Sequence, residues 1–249
     1  MTSQPVRACI LIPTFNNPDT IRRVVEAARL LVPDVLVVDD GSAEAGRSAV
    51  ASLALEKLAH VVHREKNGGK GAAVKTGFAQ AQRLGFTHAL QVDADGQHNL
   101  DDIPAFLAAA RAQPDALVLG CPLFDASAPT GRKVGRLITI FWTTLETGGR
   151  TIVDPMCGFR VYPVASALAA SAGTGDRMDF DIEIAVRMVW AGAPTINLPT
   201  KVRYLRADEG GVSHFHLFWD NVRISWMHTR LVVRAILRVL SWPVRRLRA

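Results

Sequence analysis

The sequence predicts an α/β fold: a mostly parallel central sheet with helices on both faces, followed by a C-terminal amphipathic helix. Short runs rich in valine, isoleucine and leucine alternate with amphipathic stretches through the first half. That is the pattern of strands buried on both faces and of the helices covering them. Polar loops carrying acids and glycines fall at the carboxyl ends of these runs, where open α/β sheets bind ligands. The last residues place arginines along one side of a helical wheel.

The strands are expected at Arg7–Ile12, Asp34–Val38, His60–His63, Thr87–Val92 and Ala116–Gly120. Helical patterns fill the gaps at Pro18–Leu31, Ala43–Leu58, Lys70–Leu84 and Leu100–Ala112. Asn17-Pro18 offers a capping side chain and then proline at the first helical position. After Gly120 the alternation weakens. A loose segment, Cys121–Arg132, precedes a helix at Lys133–Glu146, a glycine turn, the segment VDPMCGFRVYP and a polar loop at Ser171–Asp179. A helix at Asp181–Ala191 and strands at Thr195–Leu198 and Val202–Leu205 follow.

With 249 residues, 49% hydrophobic and 21% charged, the chain has the composition of a globular protein able to bury a large core. Cys9, Cys121 and Cys157 are odd in number and scattered, which fits a reducing compartment rather than a disulfide framework or zinc site. MTSQPVRACILIPTF reads as a first strand, not a signal peptide. No run of 18 uncharged apolar residues occurs, so a membrane span is not expected. The net charge of +6 lies in residues 217–249, which hold seven arginines and one aspartate, while the other 216 residues hold 22 basic and 22 acidic side chains. A neutral body argues against nucleic acid as a partner.

The richest segment is Leu90–His98, LQVDADGQH. Asp93 and Asp95, separated by Ala94, point to the same side of extended backbone at a strand end. Paired hard oxygens suit Mg²⁺ or Mn²⁺, and through it a diphosphate. An EF-hand would need glutamate where Pro104 stands, a phosphoaspartate site threonine where Gln97 stands, and zinc more His and Cys. A capped loop stays open as the plain alternative. Asp95 and the Gln97 amide oxygen alternate along the backbone and can share one ion. Asp39 and Asp40, in Val37–Ser42, either cap a turn or accept hydrogen bonds from a base or ribose. Asn67-Gly68-Gly69-Lys70-Gly71 opens a helix whose N-terminus and lysine attract phosphate, although a flexible turn fits equally. It is neither a Walker loop nor the dinucleotide fingerprint.

Taken together, Ile12–Asn17, Val38–Ser42, Asn67–Gly77 and Asp93–His98 resemble family 2 glycosyltransferases of the GT-A fold, especially the polyprenyl- or dolichyl-phosphate sugar synthase branch. Asp154-Pro155, Gly158-Phe159-Arg160 and Asp181 with Arg187 and Gly192 extend the likeness to about residue 214. The resemblance implies that Pro13, Phe15, Asp39 and Asp40 hold the nucleotide, with Asn67 and Lys70 nearby and Ala94 beside them. It implies that Asp93 contacts ribose or diphosphate and, with Asp95 and Gln97, the divalent metal. It also implies a sugar and acceptor pocket shaped by Gly158, Phe159 and Arg160, and Asp181 as general base, unless Asp181 only caps the following helix. His214 is a candidate for the donor diphosphate or a satisfied structural histidine. Phe15 stands where tyrosine is common, Asn17 where glutamate is frequent, Phe180 where a glutamate often precedes Asp181, and Gly120-Cys121-Pro122 lacks an arginine often found there.

The expected organisation is one domain over residues 1–214, with a nucleotide half at 1–120 and an acceptor half at 121–214, and a basic helix at 215–249. Within that helix Arg223, Arg230, Arg234 and Arg238 fall within about 80° of one another, opposite Trp226, Leu231, Val233, Ile236, Leu237 and Leu240. Such a face suits an anionic membrane surface, or else solvent or a dimer contact. The expected activity is inverting, metal-dependent transfer from a nucleotide-diphosphate sugar to a lipid-linked or hydrophobic acceptor. The expected place is the cytoplasm, peripheral on the inner membrane face. A nucleotidyltransferase-like enzyme and a non-catalytic binding or scaffold protein are the rivals.

Overall fold

The computed structural model describes residues 5–124, 130–149, 151–202 and 217–246. Its strands are β1 (Ala8–Thr14), β2 (Val35–Asp39), β3 (His60–His63), β4 (His88–Gln91), β5 (Leu117–Phe124), β6 (Arg160–Pro163) and β7 (Thr195–Val202). They form one sheet in the order β3-β2-β1-β4-β6-β5-β7. Every pairing is parallel except those of β6, which runs antiparallel between β4 and β5. The helices are α1 (Ile21–Arg29), α2 (Glu44–Leu55), α3 (Lys70–Arg83), α4 (Ile103–Ala112), α5 (Thr130–Glu146), α6 (Val164–Ser171), α7 (Phe180–Trp190) and α8 (Leu217–Arg246).

Alternation along β1 builds both layers. Ile10 and Ile12 enter a core with Val24 and Val25 of α1 and Phe106 of α4. Cys9 and Leu11 enter a second core with Val74 and Phe78 of α3, Ile182 and Ala185 of α7, and Ile224, Met227 and Leu231 of α8. Each such large apolar side chain contributes roughly 1.5–3 kcal/mol over leaving it exposed. α8 is therefore built into the second core through one of its faces.

Several elements differ from the sequence expectation. The first helix begins at Ile21, not Pro18, because the Asn17 carboxamide turns back to accept from Thr14 Oγ1 at 3.2 Å and the Phe15 N–H at 3.4 Å. β6 and α6 were not expected, since four residues after an irregular loop carry no readable period. β5 continues four residues beyond Gly120, and β7 is continuous through Pro199, paired along its length with β5.

α8 has three faces, not two. Asp220, Ile224, Met227, His228 and Leu231 are buried. The arginines lie on a flank against α7: Arg230 Nη2 reaches Glu183 Oε2 at 3.1 Å, Arg234 Nη1 lies 3.8 Å from Glu183 Oε1, and Arg238 donates to the Trp190 carbonyl at 2.7 Å. Phe218, Val222, Trp226, Val233, Leu237 and Leu240 face outward and are exposed. α5 inverts the usual arrangement of a surface helix. Its buried side carries Thr139, Thr143 and Glu146, while Val134, Leu137, Ile138, Phe141 and Leu145 are exposed.

Candidate active site

The carboxyl ends of β1, β2 and β4 and the first turns of α3 and α7 converge on a cavity of about 420 Å³, a size that holds a small-molecule ligand. Pro13, Phe15, Asp40, Asn67, Lys70, Asp93, Ala94, Asp95, Gln97 and Asp181 all line it. Asp39 and Arg160 do not join them.

The charged floor is a three-membered bridge. Lys70, the first residue of α3, sets Nζ 2.7 Å from Asp93 Oδ1 and 2.9 Å from Asp181 Oδ2. Burial opposes the ammonium charge, but Asp181 and Asp93 outweigh it and hold Lys70 above its ordinary value. Burial likewise opposes ionisation of Asp93, yet Lys70 and then His98 hold its carboxyl well below the usual range. His98 Nε2 lies 3.4 Å from Asp93 Oδ2, and its ring packs on Phe159 with centroids 5.4 Å apart. Gln91, the last residue of β4 and fully buried, donates to Asp181 Oδ1 at 3.4 Å.

Asp95 is treated differently from Asp93. Its Oδ1 accepts the Gln97 N–H at 3.0 Å, and no cationic side chain pairs with it among the described residues. Burial, then the neighbouring charge of Asp93, push its pKa up. A partly buried carboxylate with no directly paired cation among the described residues, lining the cavity together with Gln97, suits a hard divalent cation. Among the described residues no three His, Cys, Asp or Glu side chains form a complete cage. Mg²⁺ and Mn²⁺ are commonly held by one or two carboxylates plus substrate phosphates, so this donor set fits.

Two expected site residues lie behind the cavity wall, hydrogen-bonded to the protein's own groups. Asp39 is fully buried, its oxygens taken by the Ser42 N–H at 3.0 Å and His63 Nδ1 at 2.9 Å. Arg160 is also fully buried. It donates to the carbonyls of Cys157 (2.6 Å), Pro155 (2.6 Å) and Asp181, and so fastens the 155–160 loop to the first turn of α7. Asp40 lines the cavity but mainly shapes it, accepting the N–H groups of Gly68 at 3.1 Å and Gly69 at 2.7 Å and pairing with Arg64. That fixes the loop entering α3, where Gly69 has φ +103° and an added Cβ would lie 2.6 Å from the Asp176 carbonyl. His214 lies outside the described residues.

Sequence reasoning missed Arg177, Met156, Met178 and Ile182, which line the cavity, and Asp220 and Ile224, brought to its rim by α8. Arg177 donates to Asn67 Oδ1 at 3.3 Å, adding a second cation to the phosphate-sized loop. The polar loop 171–179 gave no periodic signal for it.

Gly158 sits against this floor. A Cβ there would lie 2.7 Å from Asp93 Oδ2 and 2.8 Å from Lys70 Nζ. Both contacts are far ends of flexible side chains, which can shift without unfolding the core. Gly158→Ala should therefore lower turnover by about 10²-fold, the cost of an ångström-scale misplacement, while the melting temperature changes by only a few degrees. Unchanged steady-state kinetics would show that the bridge geometry does not matter.

The comparisons agree with this architecture. The family model for glycosyl transferase family 2 matches residues 9–166, more than half of the chain. The polyprenol monophosphomannose synthase of Mycolicibacterium smegmatis is 28% identical over 96% of this chain and 88% of its own length. The undecaprenyl-phosphate mannosyltransferase of Micrococcus luteus is 28% identical over 78% of this chain and 82% of its own. Among solved structures, glucosyl-3-phosphoglycerate synthase from Mycobacterium tuberculosis with phosphoglyceric acid superposes with a TM-score of 0.66 at 16% identity, covering 91% of this chain and 80% of that one. The same enzyme with Mn²⁺, uridine diphosphate and glucosyl-3-phosphoglycerate gives 0.61 at 17% identity, covering 93% and 79%. A mixed sheet of this order, with the matched residues carrying its acidic strand ends, makes the chain a member of glycosyl transferase family 2.

Proposed function

We propose that this glycosyltransferase moves a sugar, with inversion, from a nucleotide-diphosphate sugar to a polyprenyl monophosphate or similar lipid-linked phosphate at the cytoplasmic face of a membrane. The observation that carries the reading is the asymmetry of the two aspartates: Asp93 is neutralised by Lys70, whereas Asp95 has no cationic partner among the described residues. The relatives named for polyprenol and undecaprenyl-phosphate mannosyl transfer support the acceptor class. The neighbour solved with Mn²⁺ and uridine diphosphate supports the donor class.

In this reading Pro13 and Phe15 flank the base, and Asp95 with Gln97 would hold the cation. A bound Mg²⁺ or Mn²⁺ supplies charge stabilisation to the leaving diphosphate. The N-terminus of α3, Lys70 and Arg177 offer fixed donors to the same oxygens. A phosphate monoester, with its second pKa near 6, is largely ionised at pH 7 and attacks without losing a proton. Asp181 then serves by holding Lys70 and orienting the acceptor, not as an obligatory base.

The test incubates the protein with Mn²⁺, polyprenyl monophosphate and labelled UDP- or GDP-sugars. Label should enter the organic phase, and Asp181→Asn should lose less than about tenfold in kcat. A loss of 10² or more, the usual contribution of a positioned base, would transfer the reading to a hydroxyl acceptor. No labelled lipid with any donor would end it.

A further inference from the structure

The arginine row of α8 is engaged with α7, so it is not the surface the helix offers outward. We infer that the protein seats on an anionic lipid bilayer through the outward apolar stripes of α5 and α8, with the arginines at the rim of the contact. This rests on the lipid-linked acceptor reading and names the surface that meets the acceptor's membrane.

Ordinary surface helices bury the apolar stripe and expose the polar one; α5 does the reverse, and α8 buries Ile224, Met227 and Leu231 yet leaves a second apolar stripe outward. Phe141 and Trp226 are each 63% exposed while Thr143 and Glu146 are buried. The two helices pack on each other, with Trp142 of α5 facing His228 of α8 at 6.5 Å between centroids. Their outward faces thus belong to neighbouring elements, and exposed apolar side chains gathered on adjoining elements mark an interaction surface.

Charge decides the occupant. The only acids on the two helices are Glu146 and Asp220, both buried, and they pair with His228 and Arg223. Arg223 and Arg234 keep 40% and 45% of their side chains exposed beside the stripe. A second copy related by two-fold symmetry would bring the same acid-free, arginine-bordered patch against itself. Anionic headgroups complement it, with apolar and indole side chains below and guanidinium groups at headgroup level. Asp220 and Ile224 of α8 also line the cavity, so a lipid lying in that bilayer presents its phosphate at the rim of the site.

The test measures sedimentation of the full-length protein with phosphatidylglycerol–phosphatidylcholine vesicles. Wild type should bind, and Phe141→Glu and Trp226→Glu should each weaken partitioning tenfold or more with the melting temperature retained. Should either variant fail to fold, brominated lipids provide the second measurement: they should quench wild-type fluorescence, and Trp226→Phe should remove part of that quenching. Absent vesicle binding by wild type, or undiminished binding by the double glutamate variant, overturns the inference. So does a lipid-free wild-type dimer that the glutamate variants dissociate while vesicles stay unbound. Nucleotide-induced thermal stabilisation without vesicles reads the donor site separately. If it is present and vesicle binding absent, the surface alone is wrong; the reverse removes only the reaction.

Discussion

Asp95→Asn is expected to abolish metal-dependent sugar transfer, by about 10³-fold, while leaving the unliganded protein as stable as wild type or slightly more so. The two signs have one cause. Asp95 carries a partly buried charge that burial and Asp93 both disfavour, with no cation paired to it among the described residues. Removing that charge relieves the free protein, and the isosteric amide still offers an oxygen to the Gln97 N–H, 3.0 Å away in the parent. The same charge is what a divalent cation and a diphosphate would need, and losing such stabilisation of a leaving group costs several kcal/mol. Two readouts check it: steady-state turnover, and the melting-temperature rise that Mn²⁺ with UDP gives to wild type by mass action. Wild-type turnover in the variant, or an undiminished rise, would remove Asp95 from the metal site.

The contrast between Asp93 and Asp95 marks how far sequence carries. The acidic strand end, the glycine loop before α3 and the existence of β1 to β4 as parallel strands were legible because apolar runs and turn residues are local signals. Which of two adjacent acids faces the ligand was not. Successive residues of a strand point opposite ways, so of Asp39 and Asp40 only one can face the cavity. It is Asp40, one residue past the end of β2. Arg160 shows a related limit: an arginine in a conspicuous motif reads as a ligand, but this one is spent on three buried carbonyls. The three faces of α8 were hidden because a helical wheel fixes angles between side chains but not which sector the rest of the chain covers. The antiparallel β6 was hidden for want of length.

Lys70→Met should be the most damaging change to stability in the site, because among the described residues Lys70 alone bridges Asp93 and Asp181. Breaking a buried pair by deleting one partner typically costs 3–5 kcal/mol, since the remaining charges are left desolvated. Asp93 keeps a quarter of its side chain exposed, which sets the expectation near the lower bound. The pH dependence identifies the mechanism. Asp93, held below its ordinary value, contributes stability that is present above a carboxylate pKa of about 3.9 and lost as pH falls through the folded value. Lys70, held above its ordinary value, contributes fully below about 10.4 and loses that contribution only as pH rises through its folded value. At pH 7.5 both contributions are complete in wild type. In the variant Asp93 loses the stronger of its two partners and keeps only His98, so its pKa rises and protonation on acidification relieves the buried charge. The stability gap from urea denaturation should therefore be widest near neutrality and narrow by pH 5, while turnover is lost throughout. A gap that stays constant with pH would mean that Lys70 supports the fold by packing its methylenes, and the bridge would have no electrostatic role.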